Sequence, residues 1–196
     1  MTKNKLSFWN RYSLICTFFG IGKIPFAPGT FGSLAAYPVY FLYYLFSILV
    51  LAELSDSIYF IASPIPLDIQ CFIIFTLILF ISGTISSSRY MKLTGRKDPK
   101  EIVIDEVLGQ MLVLYFTLPI STSINSKFWW VNLFFTLVAP FLFFRFFDIV
   151  KPWPINWFDK NIKGGLGVMI DDIVAAFFAV IVLNWVMLTL IDKQLV

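Results

Sequence analysis

Histidine is missing from this chain altogether. Its absence excludes Ser-His-Asp hydrolysis, Cys-His nucleophiles and His-ligated zinc in one step. It also excludes the membrane phosphatases whose chemistry is built on histidine. Cysteine is nearly as scarce: Cys16 and Cys71 lie far apart inside apolar stretches and read as packed thiols rather than as a disulfide or a metal pair. Charge is thin as well. Asp, Glu, Lys and Arg make up 14% of the residues, against about a quarter in an ordinary soluble domain. The net charge is only +3, and no basic run interleaved with aromatics offers a track for a nucleic acid, so none is expected as a partner. The chain also lacks the G-x-x-x-x-G-K-[ST] nucleotide loop, the D-x-D of haloacid-dehalogenase phosphatases and the aspartate-spaced helix of CDP-alcohol transferases. Any hydrolysis here must run on carboxylates, Lys or Arg, hydroxyls and a hard metal ion.

Apolar residues are what the chain has in abundance, at 59% of the sequence and a mean hydropathy of +0.82. A core built from 196 residues could not hide that much apolar surface from water, so lipid is the natural solvent. Stretches 33–51, 69–87, 128–147 and 173–191 each approach the roughly 20 residues a helix needs to cross a bilayer. A shorter apolar stretch, 102–118, carries Asp105 and Glu106 near its start. Each charge costs about 3 kcal/mol or more in hydrocarbon, so this helix is expected inside the bundle with its acidic end facing water. Segment 1–20 mixes Lys3, Lys5 and Arg11 with Trp9, Tyr12 and Ile15, and has neither the apolar core nor the cleavage site of a signal peptide. It predicts an amphipathic helix lying in the membrane surface. The expected fold is therefore an all-α integral membrane bundle. It has five membrane-associated helices, an interfacial N-terminal helix and one central acidic helix, with residues 1–196 forming a single domain.

Basic residues orient the bundle. With a cytoplasmic N-terminus, all of the Lys and Arg except Lys127 and Lys193 fall on the cytoplasmic side, as the positive-inside rule requires. Four polar clusters fall on that same side. Segment 25–33 (Pro-Phe-Ala-Pro-Gly-Thr-Phe-Gly-Ser) leads into an apolar helix that Thr30 or Ser33 could cap, and free N–H groups at such a helix start suit an anion. Segment 98–106 puts Glu101 and Asp105 four apart, on one face if helical, with Asp98 upstream and Glu106 adjacent. Clustered acids repel unless a cation compensates, and Mg²⁺ is the obvious candidate. A solvated helix start accounts for Asp98 and Glu101, but less readily for Asp105 and Glu106 between apolar neighbours. Arg145, Asp148 and Lys151 are spaced by three, on one face of a helix that Pro152 closes. They either pair internally or hold a phosphate and a metal ligand. Segment 164–172 has glycines that permit close backbone approach and paired aspartates, Asp171 and Asp172, of which one is expected to face the same site as Asp105.

Taken together, the segments Pro28-Gly29-Thr30-Phe31-Gly32-Ser33, Asp98-Pro99 with Ile102-Val103-Ile104-Asp105-Glu106, Phe147-Asp148 with Lys151-Pro152-Trp153-Pro154, and Gly164-Gly165-x-Gly167 with Asp171-Asp172 resemble the phosphatidylglycerophosphatase A family. They stand in the family's order, over about residues 25–190. The resemblance implies a Mg²⁺-dependent lipid phosphatase of the bacterial inner membrane. Such an enzyme converts phosphatidylglycerophosphate to phosphatidylglycerol, with its active site facing the cytoplasm and a membrane phospholipid as its substrate partner. On that reading Asp98, Asp105, Glu106 and Asp171 are metal ligands, and Thr30, Ser33, Arg145 and Lys151 bind phosphate. The catalytic set is Asp105, Glu106, Asp148, Lys151, Asp171 and Asp172. With no histidine to activate a serine, a metal-activated water is the simplest nucleophile, and an aspartyl-phosphate stays open as the other route. The rival from another class is a small cation- or proton-coupled transporter, which would spread its acids along the midplane rather than gather them at one end.

Overall fold

A computed structural model describes residues 9–54, 66–97, 99–124 and 126–194. Among these residues all regular structure is helical. The chain runs through α1 (Arg11–Cys16), a 3₁₀ turn (Ile21–Lys23), α2 (Pro28–Leu54), α3 (Leu67–Thr94), α4 (Ile104–Ser121), α5 (Trp129–Leu133), a π-helical segment (Phe134–Val138), α6 (Ala139–Val150), α7 (Ile155–Asn161) and α8 (Gly164–Asp192).

Five segments are long and apolar enough to cross a membrane, and they coincide with the five apolar stretches of the sequence. Burial separates their roles. In α4, 56% of the spanning window is buried inside the protein, against 17% in α3. Helix α4 is thus the central helix, and α2, α6 and α8 pack around it. The outer helices keep apolar stripes for lipid, as in α3, where Ile74, Leu77, Ile78, Ile81 and Ile85 recur at helical spacing and are all exposed. On α8 the inner face carries Ala175, Ala176 and Ala179, all buried, and these small side chains let it lie close to α4. Pro140 near the start of α6 has no N–H to give the turn before it, which widens into the π segment. The Tyr37 hydroxyl donates to the Leu137 carbonyl in that segment at 2.5 Å. At the end opposite the polar clusters, Tyr43 donates to the Asp68 carbonyl at 2.9 Å and Tyr115 to Asp68 Oδ2 at 3.1 Å. Phe72 stacks on Tyr115 there at 3.7 Å.

Several local expectations are corrected. The N-terminal helix is only six residues long within the described part. Asn10 caps it by accepting from the Tyr12 N–H, and it ends because Phe18, Phe19 and Gly20 take left-handed backbone. Ser13 and Cys16 are fully buried, and the Val103 N–H donates to the Cys16 carbonyl at 2.9 Å, so one face of α1 is packed onto the bundle while Trp9 and Ile15 stay exposed. Burial first, then the Asp105 carboxylate, pushes the Cys16 thiol up to about 12. Helix α2 starts at Pro28, so Thr30 and Ser33 lie inside its first turns and neither caps it. The glycines of 164–167 form the first turn of α8, which places Asp171 and Asp172 two turns inside that helix.

Candidate active site

One cavity of about 1270 Å³ opens where the N-terminal ends of α2, α4 and α8 meet the C-terminal ends of α3 and α6. Each of the four polar clusters contributes to its wall. Segment 25–33 supplies Pro28, Gly29 and Thr30, and α4 supplies Asp105 and Glu106 from its first turn. Arg145, Asp148 and Lys151 enter from the end of α6, and Asp171 and Asp172 from α8.

At its centre, Asp105, Glu106 and Asp172 each present a carboxylate oxygen within 4.8 Å of the others. Asp105 Oδ1, Glu106 Oε2 and Asp172 Oδ2 are buried and have no hydrogen-bond partner among the described residues. Three carboxylates this close repel unless positive charge lies among them, and buried acceptors without donors cost free energy. An all-oxygen donor set of this kind fits a hard divalent cation, with Mg²⁺ the usual partner where phosphates also bind.

Asp171 takes a different place from Asp172. Adjacent helical residues diverge by about 100°, and Asp171 Oδ2 accepts from the Lys151 ammonium. The same ammonium reaches Asp159 of α7 at 3.1 Å. Burial works against the Lys151 charge. The hydrogen bonds and attraction of Asp171 and Asp159 outweigh it and hold the lysine above its ordinary pKa. Lys151 is itself the left-handed C-cap of α6, so the helix stops one residue before Pro152 and the side chain turns toward α8. One turn earlier, Arg145 pairs with Asp148 at 2.5 Å, and its Nε is buried and unpartnered among the described residues. The two cations of the predicted Arg-Asp-Lys line thus have separate carboxylate partners, Asp148 for Arg145 and the pair Asp171 and Asp159 for Lys151.

Gly29 brings the start of α2 directly onto this group. A β-carbon there would lie 2.3 Å from Glu106 Oε1 and 3.1 Å from an Arg145 nitrogen. Thr30 lines the cavity, whereas Ser33 is fully buried outside the lining and donates to the Gly29 carbonyl at 3.0 Å. Glu101 is not on the Asp105 face. Ile102 N–H closes a turn onto the Pro99 carbonyl, α4 begins only at Ile104, and Glu101 pairs with Arg96 at 2.9 Å. Asp98 lies outside the described residues.

The sequence reading left three features of the site unassigned. Asp159 completes the Lys151 environment, and Ser88 Oγ accepts from the Gly165 N–H at 3.1 Å. The third is a set of lysines along the α3 end and the loop after it, Lys92, Lys97 and Lys100, which line the cavity. Their density between residues 89 and 100 was the available signal.

A family model described as Phosphatidylglycerophosphatase A matches residues 14–187. A protein of Haemophilus influenzae named Phosphatidylglycerophosphatase A is 37% identical over 187 residues, covering 93% of this chain and 94% of the relative. A protein of the same name in Escherichia coli is 32% identical over 191 residues, 95% of this chain and 89% of the relative. A Bacteroides thetaiotaomicron protein named Putative phosphatidylinositol-3-phosphatase is 31% identical over 177 residues, 88% of this chain and 93% of the relative. No solved structure matches.

Proposed function

The chain belongs to the phosphatidylglycerophosphatase A family and is a lipid phosphatase, a phosphoric monoester hydrolase, and from that premise we propose that it removes the terminal phosphate of phosphatidylglycerophosphate with a Mg²⁺ ion held by Asp105, Glu106 and Asp172. The observation that supports the metal is the set of three carboxylates within 4.8 Å, with buried oxygens that no donor among the described residues satisfies. A divalent ion bound there would supply Lewis acidity toward a phosphoryl oxygen and a clamp on its charge.

The remaining work falls to this chain's own side chains. Lys151 is kept protonated by Asp171 and Asp159 and presents a fixed positive charge to a phosphoryl oxygen. Arg145, from the same helix end, is steadied by Asp148 and has a buried Nε donor without a partner among the described residues. Gly29 and Thr30 let the substrate approach the start of α2, where backbone N–H groups favour an anion. The reaction is hydrolysis: water oxygen bonds to phosphorus, the ester P–O bond breaks, and the glycerol oxygen leaves as a hydroxyl after taking a proton. With no histidine in the chain, carboxylates are the groups available to accept the water proton.

On this reading the lipid headgroup reaches the site from the side that holds most of the Lys and Arg, and that asymmetry supports chemistry at the cytoplasmic face of a bacterial cytoplasmic membrane. A transport reading is disfavoured because the carboxylate group sits at one end of the bundle. The substrate assignment is tested by phosphate release from phosphatidylglycerophosphate and from phosphatidylinositol 3-phosphate by the purified protein, with Asp105→Asn as control. Preferential release from the first, lost in the variant, supports the assignment. Preference for the inositol lipid would replace the substrate and keep the reaction.

A further inference from the structure

Charges inside the cavity are sorted by wall. On the α4, α6 and α8 side, Arg145 and Lys151 are paired with carboxylates, and three further carboxylates form the cation site. The α3 side is different. Lys92 near the end of α3, Lys97 and Lys100 in the loop after it, and Lys163 just before α8 all line the same cavity and are exposed. None of these four has a carboxylate partner among the described residues, and the nearby Glu101 is taken by Arg96. Four lysines without carboxylate partners among the described residues give this wall a positive charge that suits an anion. The volume is also more than a phosphomonoester needs: at about 1270 Å³ the cavity exceeds the roughly 300–1,000 Å³ of typical small-molecule pockets.

We infer that Lys92, Lys97, Lys100 and Lys163 form a second anion subsite that holds the phosphodiester of the substrate's own headgroup while its phosphomonoester lies at the carboxylate site. This inference rests on the phosphatase reading above and adds the selectivity of that site. A lipid with both a diester and a monoester phosphate engages both walls, and one with a monoester alone engages only the inner wall. Lysine suits the role because it contacts phosphate as a mobile point charge, without the fixed fork of arginine. The other source of the same anion is the phosphodiester of surrounding phospholipids, and the experiment separates the two.

The test compares wild type with the quadruple variant Lys92→Gln, Lys97→Gln, Lys100→Gln, Lys163→Gln, using short-chain phosphatidylglycerophosphate in a neutral detergent free of other lipid. KM is expected to rise roughly tenfold, the scale of several exposed ion pairs acting together, with kcat within about twofold. Short-chain phosphatidylglycerol carries the diester without the monoester, and its directly measured binding should weaken in parallel. Inhibition by inorganic phosphate should stay unchanged. The matching quadruple Lys→Arg variant should keep KM near wild type, which a fold defect at these positions would not allow. Unchanged KM and phosphatidylglycerol binding would overturn the subsite, and so would an equal loss of inorganic phosphate inhibition. A loss seen only after anionic lipid is added would assign the lysines to neighbouring headgroups and overturn it as well. If wild type releases no phosphate, the phosphatase reading fails separately, and phosphatidylglycerol binding still decides the lysines.

Discussion

At the residue scale, the two adjacent aspartates of α8 divide the work. Asp172 joins Asp105 and Glu106, while Asp171 is bound to Lys151. The two asparagine variants should therefore fail differently. Asp172→Asn should lower both Mg²⁺ affinity, by calorimetry, and turnover by at least on the order of 10²-fold, because even groups that only support a metal ligand cost about 10–100-fold. Asp171→Asn should retain Mg²⁺ binding and raise KM. The reverse pattern would move the cation to Asp171. Gly29 gives a second contrast: a methyl group there would land 2.3 Å from Glu106 Oε1, so Gly29→Ala should cost about 10²-fold in kcat by displacing that carboxylate. Normal kcat would show that the start of α2 can yield. Lys151 has its pKa raised, so the stability of its ion pair is complete below the ordinary lysine value and is lost only as pH rises through the still higher folded value. A Lys151→Gln variant should therefore lose activity throughout pH 7–9, where the wild-type lysine is charged, and wild-type activity anywhere in that range would contradict the assignment. The residue types of the site were legible in the sequence because carboxylates between apolar neighbours are costly without a purpose. Which of two adjacent aspartates faced α4 was not, since that depends on the rotation of α8, set by packing along its whole length.

At the element scale, the apolar stretches gave the spanning helices, since length and hydropathy alone decide what lipid accepts. Their first turns were harder to read. Thr30 and Ser33 had the chemistry of caps, yet Pro28 already has the φ of a first helical residue, and α2 starts there. Glu101 had the spacing to join Asp105, but the Cys16–Val103 backbone bond and the turn at Pro99 hold the chain outside α4 until Ile104. The second outcome depends on a partner distant in sequence, the Cys16 carbonyl. The same holds at the start of α8, where a β-carbon on Gly165 would fall 2.2 Å from the Thr84 carbonyl and 2.5 Å from Ser88 Oγ. Gly165→Val should push α8 away from α3 and destabilise the protein by about 1–3 kcal/mol, seen as a lower melting temperature in detergent. An unchanged melting temperature would show that the two helices are not in contact there.

At the scale of the whole molecule, the arrangement makes a sided object: a lipid-facing belt, a closed aromatic end around Asp68, and an open end where cations and carboxylates share one cavity. Sidedness is open to labelling. Cys71→Ser with Lys97→Cys should react with an impermeant maleimide only from the cytoplasmic side, and Cys71→Ser with Lys127→Cys only from the other. Cys16 should stay silent in both, because it is fully buried with its thiol pushed up to about 12. Reaction of both introduced cysteines from one side would overturn the orientation. Charge asymmetry is what predicts that orientation from the sequence, while the lining of the shared cavity emerged only when helix ends separated by dozens of residues were brought together. The central claim is that a carboxylate-held Mg²⁺ ion at this open end drives hydrolysis of a lipid phosphomonoester, and its most direct measurement is phosphate release from phosphatidylglycerophosphate by the detergent-purified protein with EDTA and then with restored Mg²⁺. The account predicts release that stops with EDTA and returns with Mg²⁺, whereas undiminished release in EDTA, or none with Mg²⁺ from a folded preparation, would contradict it.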